Sequence, residues 1–221
     1  MMRLDLPDRG YHREIQMKKK QLARKLIVYA LYIVLFCSVQ VSFSGFFSLG
    51  GQVADFMLVF VIITGYLYGA KDAAIVGIIT GLLRDYFAGP SFEVSQDRHS
   101  ALLGLGMLIL FYAGVLSSVL FAKTFHRKIQ LGFVQVMIIT VAYKIFGHIA
   151  TFVTQIFTGN GSQYLTVYEI ILGSIIPQML ANLIAAVPVI ILVRYFGPYK
   201  NGINLKLIAE ADEAEGIWQI N

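Results

Sequence analysis

The stretch LIVYALYIVLFCSVQVSF, residues 26–43, is too apolar for a surface in water and has the length of a membrane helix. A transmembrane helix needs about 20 mostly apolar residues, because lipid offers no partner for backbone N–H and C=O groups. Five further apolar stretches follow, of which the first two are shorter: residues 54–68, 73–88, 102–121, 131–157 and 167–196. The sequence therefore predicts an all-α integral membrane protein, a bundle of six transmembrane helices with short second and third segments.

The composition agrees with a membrane protein. Hydrophobic residues make up 57% of the chain, charged residues only 14%, and the mean hydropathy is +0.69. Soluble domains carry about 25% charged residues. The 221 residues leave no room for a separate soluble domain. We predict one membrane domain, residues 26–196, between a basic N-terminal tail, residues 1–25, and a C-terminal tail, residues 197–221.

Positive charge is distributed unevenly between the loops. Most of the 18 Lys and Arg residues lie in the N-terminal tail, at Lys71, in the loop from Lys123 to Lys128, and near the C-terminus. The opposite loops hold only Arg84 and Arg98. Basic loops face the cytoplasm, so we predict cytoplasmic termini and a location in the cell membrane. The short second and third segments could instead form a re-entrant hairpin, although full crossing is favoured.

The charged tails have simple interpretations. Lys18-Lys19-Lys20, followed by Arg24 and Lys25, would set the orientation of the first helix and attract anionic membrane lipid. Nucleic-acid binding is not expected, because neither aromatic residues nor a folded module accompanies this charge. The acidic run at residues 210–215 is interpreted as a solvated tail.

Small residues recur every fourth position through the second and third segments. In a helix, residues four apart lie on one face, and small residues there let two backbones approach closely. Such spacing alone is common in membrane helices and usually indicates packing only. The residues of this series are Gly65, Gly69, Ala73, Gly77 and Gly81.

Residues 54–89 around this series resemble the MreD family of rod shape-determining proteins. In that family an Asp opens the second apolar segment, and a G-x-x-x-G-L-x-x-D run closes the third. The family usually has Pro before the first Asp, whereas this chain has Ala54. The matching residues here are Asp55, Gly77, Gly81, Leu82 and Asp85, with Arg84 inside the run.

The resemblance implies a non-enzymatic scaffold of the cell-elongation machinery that controls cell shape and peptidoglycan synthesis. Such a protein would bind the single-pass protein MreC and, through it, MreB and RodA with its penicillin-binding transpeptidase. The family's bundle is also thought to resemble the substrate-binding subunits of energy-coupling-factor vitamin transporters. That alternative would need a hydrophilic, outward-facing pocket, which Asp85, Arg98, His99 and Glu169 could line.

Two pairs of polar residues fall inside the fifth and sixth segments. Lys144 and His148 lie one turn apart, as do Gln178 and Asn182. A charge in the bilayer costs about 2.5–3.5 kcal/mol on insertion scales and is a candidate for function. Because the two segments run antiparallel, we expect the pairs to face each other in a network that holds the helices together. A ligand or proton role is the second interpretation.

The remaining membrane carboxylates lie near helix ends. Asp55 and Glu169 stand at predicted helix N-termini, where free N–H groups stabilise a carboxylate. Asp85 stands at the end of its helix, so we predict an ion pair with Arg84 or a hydrogen bond to the start of the second segment. The histidines and acids show no spacing typical of a catalytic, metal or cofactor site, so we do not expect an enzyme.

Overall fold

The computed structural model describes residues 9–42, 48–87, 104–120, 129–158 and 167–199. These residues form a helical bundle with one small antiparallel hairpin. The hairpin consists of β1 (Ser48–Leu49) and β2 (Gln52–Val53). The helices are α1 (Arg9–Ser42), α2 (Phe56–Tyr68), α3 (Ala70–Phe87), α4 (Leu105–Leu120), α5 (Ile129–Thr158), α6 (Val167–Ile170) and α7 (Ile176–Phe196), with a π-helical turn (Ile171–Ile175) joining the last two.

Three helical spans in the described ranges are long and apolar enough to cross a membrane, namely Lys19–Ser42, Ile129–Ile149 and Val167–Phe196. Phe56–Tyr68 and Gly106–Leu120 are shorter apolar helices. Many large apolar side chains on the outer faces of these helices are exposed, as expected for a surface covered by lipid. The length and composition of the helices are those of a membrane protein.

Helix α2 lies at the centre of the bundle. Every residue from Phe56 to Tyr68 is buried, and α2 packs against α1, α3, α4, α5 and α7. A helix that is apolar on all sides must be surrounded by other elements or by lipid. Here the surrounding elements are helices of the same chain. The ends of α2 therefore fix the positions of several neighbours at once.

The turn between α2 and α3 is built on Gly69. This residue has φ of 93°, in the left-handed region that glycine adopts readily, and its N–H donates to the Gly65 carbonyl at 3.0 Å. The chain reverses there, so α2 and α3 form a helical hairpin. The turn lies at the same end of the bundle as Lys25 of α1, which contacts Asp72.

Helix α1 is longer than the first predicted apolar stretch, and a π-helical turn interrupts the last one. Helix α1 begins at Arg9, so the part of the predicted N-terminal tail that the structure describes continues the membrane helix. The π-helical turn ends at Ile175, two residues before Pro177. Proline has no N–H to donate to the carbonyl four residues earlier, which interrupts the α-helical hydrogen bonds at this point.

Candidate functional site

Asp55 joins the start of α2 to the end of α3. Its Oδ1 accepts a hydrogen bond from the Leu58 N–H at 2.8 Å, so the carboxylate caps α2. Its Oδ2 accepts one from Nη1 of Arg84, also at 2.8 Å. The Arg84 side chain is 1% exposed and the Asp55 side chain 7%. The Arg84 guanidinium also lies 5.4 Å from the ring centroid of Tyr143, which places a cation beside an aromatic face of α5.

Asp85 caps a helix other than its own. Its Oδ2 accepts hydrogen bonds from the Gly104 N–H at 2.9 Å and the Met107 N–H at 3.3 Å, at the start of α4. This finding differs from both predicted partners, Arg84 and the start of α2. Consecutive residues of an α-helix point about 100° apart, so Arg84 and Asp85 face different neighbours. Capping does account for Asp85, although it acts between helices.

The glycine face of α3 lies directly against α4. A Cβ atom added to Gly77 would come 2.7 Å from the Leu110 carbonyl oxygen, and one added to Gly81 would overlap the backbone of Met107. No side chain can be inserted there unless the helices move apart. Leu82 also belongs to the G-x-x-x-G-L-x-x-D run that resembles the MreD family, but it is 46% exposed and lies outside this contact.

Helix α4 contributes glycines that the sequence analysis missed. A Cβ atom on Gly106 would collide with the Asp85 carboxylate, and one on Gly114 would come 3.0 Å from the Ala73 Cβ. Gly106 and Gly114 are two helical turns apart and therefore share a face. The eight-residue spacing of Gly106 and Gly114 indicates a packing face on α4, but the small-residue series identified in the sequence covered only the second and third apolar segments.

Gln178 and Asn182 connect α7 to three other elements. The Asn182 Oδ1 accepts hydrogen bonds from the Asp55 N–H at 2.7 Å and from the Gln178 Nε2 at 3.0 Å. The Asn182 Nδ2 donates to the Thr140 hydroxyl of α5 at 3.1 Å. The Gln178 Nε2 also donates to the Val53 carbonyl of β2 at 2.7 Å. The two amides thus extend the Asp55 site across the bundle.

Lys144 and His148 bond differently from the predicted network. Helices α5 and α7 pack together as expected. However, the Lys144 ammonium donates to the Gln52 Oε1 of β2 at 2.8 Å, and the His148 Nε2 is hydrogen-bonded to the Ser174 hydroxyl at 3.2 Å. The predicted Lys–amide–His network is therefore wrong in its partners. The hairpin, which the apolar pattern did not predict, supplies the acceptor for the lysine.

The residues expected to line a transporter-like pocket do not form one in the described ranges. Asp85 caps α4, and Glu169 is exposed at the start of α6. Arg98 and His99 lie outside the described residues. A groove of about 530 Å³ does lie between α4 and α5, but its walls are apolar. No group of three or more metal-ligating side chains occurs among the residues that the structure describes.

A third buried carboxylate, Asp72, lies at the opposite end of the bundle from Asp55 and Asp85. It forms an ion pair with Lys25 and accepts hydrogen bonds from the Tyr29 hydroxyl at 2.7 Å and the Tyr199 hydroxyl at 2.8 Å. Burial raises the pKa of Tyr199, and so does the hydrogen bond to Asp72. The sequence analysis used Lys71 only for the topology and assigned no role to Asp72. An acid between two apolar segments was the signal for a buried partner.

No protein-family model, curated protein or solved structure matches this chain. Function is therefore inferred from the residues and their geometry. Helices α2, α3 and α4 form one tightly packed unit, fixed by the Asp55–Arg84 ion pair, the Asp85 cap and glycine contacts.

Proposed function

We propose that this chain is a non-enzymatic scaffold subunit of the bacterial cell-elongation complex, similar to MreD, in the cytoplasmic membrane. It would cross the membrane six times and hold an MreC-like single-pass partner. Through that partner it would be coupled to MreB, RodA and the transpeptidase that builds peptidoglycan. The observation that supports this proposal most is the buried Asp55–Arg84 ion pair, because it locks the α2–α3 hairpin into a rigid unit.

The residues of the family-like pattern support a structural role. Asp55 caps α2, Asp85 caps α4, and Gly77 and Gly81 allow α3 and α4 to touch. Each of these four residues makes a contact that fixes one helix relative to another. Such a unit suits a scaffold, since a surface of constant shape binds a partner helix with less loss of conformational freedom.

The buried charges also favour a scaffold over a transporter subunit. In the part of the chain that the structure describes, each buried charged side chain has a partner within the chain. A binding site for a vitamin would need polar groups that remain open to the ligand. The groove between α4 and α5 offers almost entirely apolar walls. The charged residues concerned are Asp55, Asp72, Arg84, Asp85 and Lys144.

The proposal can be tested by depletion and co-purification in the native host. We expect depletion to produce rounded cells and a tagged copy to recover the MreC-like protein. An Arg84→Gln copy supplied to depleted cells should restore the rod shape less well than the wild type and should recover less MreC-like protein, because the variant breaks the ion pair with Asp55. The control is Tyr86→Phe, a change at a side chain that is 77% exposed on the same helix. Both variants are compared at equal membrane abundance.

Normal cell shape on depletion, with no MreC-like protein recovered, would contradict the proposal. Recovery of a transporter ATPase together with a bound vitamin would establish the alternative function instead.

A further inference from the structure

The last described residues of the chain are fixed against α1. Nη2 of Arg24 donates to the Gly197 carbonyl at 3.5 Å, and the Tyr199 hydroxyl donates to Asp72 at 2.8 Å. The Lys25 ammonium lies 5.5 Å from the centroid of the Tyr199 ring. The chain beyond residue 199 therefore starts beside the basic end of α1.

That end of α1 carries exposed positive charge. Lys19, Lys20 and Arg24 are exposed, and we refer to these three residues as the basic surface of α1. Residues 15–28 contain no Asp or Glu, and the one acid of α1 is Glu14, five residues before Lys19. Lys20 and Arg24 are four residues apart and share one helical face. Charges so close together repel one another, and a bound anion would reduce that repulsion.

The C-terminal tail carries the matching charge within reach. Its residues 210–215 have the sequence EADEAE, and no Lys or Arg follows Lys206. The ten residues between Tyr199 and Glu210 can extend about 33 Å. Lys19 lies six residues from Lys25 along α1, a distance of about 9 Å. The linker is therefore long enough for the acidic run to reach every residue of the basic surface.

We propose that residues 210–215 bind the basic surface of α1 and clasp the two ends of the chain together. In this proposal residues 210–215 are bound to α1, whereas the sequence alone suggested that they are solvated. The clasp also covers the cations that would otherwise attract anionic lipid headgroups, so the tail and the membrane compete for the same surface. This inference concerns the isolated chain and is independent of the cell-elongation proposal.

Trp218 provides the test, because it is the single tryptophan of the protein and follows the acidic run by three residues. The full chain is purified into phosphatidylcholine nanodiscs, and quenching of Trp218 by acrylamide is measured. We expect Trp218 to be shielded at low salt. Raising NaCl to about 1 M, where the screening length falls to about 3 Å, should increase the quenching constant about twofold.

Two variants with the same change in net charge separate this site from a general charge effect. Lys19→Gln, Lys20→Gln and Arg24→Gln together should expose Trp218 at low salt. Lys123→Gln, Arg127→Gln and Lys128→Gln together should leave it shielded. Replacing the Asp and Glu residues of 210–215 with Asn and Gln should also expose Trp218 at low salt.

A cross-link tests the contact directly. With Cys37→Ser to remove the native thiol, Ala23→Cys and Ala214→Cys should form a disulfide at low salt when a mild oxidant such as copper–phenanthroline is added, and neutralising the tail acids should prevent it. Trp218 that is equally quenched at all salt concentrations and in all variants would overturn the clasp. Shielding that occurs only in anionic nanodiscs would overturn it as well, since the tail would then be binding lipid.

Discussion

Arg84 of α3 donates a hydrogen bond to Asp55 of α2 at 2.8 Å, and both side chains are buried. Asp55 belongs to the family-like pattern, whereas Arg84 only lies inside it. The two residues are 29 positions apart and meet because the Gly69 turn reverses the chain. Once buried, neither charge can lose its partner without a large cost in free energy, because water cannot replace it.

Breaking this pair should destabilise the protein strongly. We expect Arg84→Met to lower the free energy of unfolding by about 3–5 kcal/mol, because the Asp55 carboxylate is left buried without a counter-charge. Adding Asp55→Asn should recover much of the loss, since asparagine is neutral and still caps α2. Heating in detergent with a thiol-reactive dye measures unfolding through Cys37, the single cysteine. A double variant as unstable as Arg84→Met would show that the charge is not the cause.

Glycine substitutions should follow the space available at each position. Gly81→Ala should cost about 1–3 kcal/mol, because the new Cβ overlaps the Met107 backbone and α3 must move away from α4. Gly173→Ala is the control, since a Cβ there would meet nothing within 4 Å. The same dye assay ranks the two variants. Equal midpoints would contradict the close contact between α3 and α4.

Loss of the Asp85 cap should loosen α4 locally. We expect Asp85→Ala to destabilise the protein by about 0.5–2 kcal/mol, the usual cost of removing a helix cap. Asp85→Asn should be milder, because its amide oxygen still accepts hydrogen bonds from Gly104 and Met107. Hydrogen exchange read by mass spectrometry should show faster exchange at the start of α4 in the alanine variant. Unchanged exchange there, or an equal effect from Tyr86→Ala, would argue against the cap.

The Lys144–Gln52 hydrogen bond should hold the hairpin on the bundle. Gln52→Ala leaves a buried ammonium without this acceptor, and we expect a cost of about 1–3 kcal/mol. Faster hydrogen exchange in residues 48–53 should accompany it. Gln130→Ala, the same change at an exposed position of α5, is the control. Adding Lys144→Met to Gln52→Ala should remove much of the energetic cost but should not restore the slow exchange.

The charge asymmetry predicts which loops face outward. In a Cys37→Ser background, cysteines at Ser95 and Gly161 should react with an impermeant thiol reagent in intact cells, and one at Lys123 should not. The physical reason is that Lys and Arg near helix ends are retained on the cytoplasmic side. Labelling of the Lys123→Cys variant in intact cells would reverse the predicted topology.

The sequence by itself determined the class of the protein and the position of most helices. Long apolar stretches are sufficient for this, because the requirement to satisfy backbone groups in lipid is local to each segment. The stretch at residues 54–68, for example, corresponds closely to α2, Phe56–Tyr68. The cap at Asp55 was also predictable, since a carboxylate at a helix start acts on N–H groups only three residues away.

Only the tertiary structure decided which side chains meet. Asp85 caps α4 and Arg84 reaches Asp55, because the orientation of each residue around α3 selects its neighbour. Lys144 bonds to Gln52 because a short hairpin, too polar to register among the apolar stretches, folds over α7. Hydropathy reports how much of a segment avoids water but carries no information on helix rotation or on contacts far apart in sequence. Those are set when the helices pack and each buried polar group must find a partner.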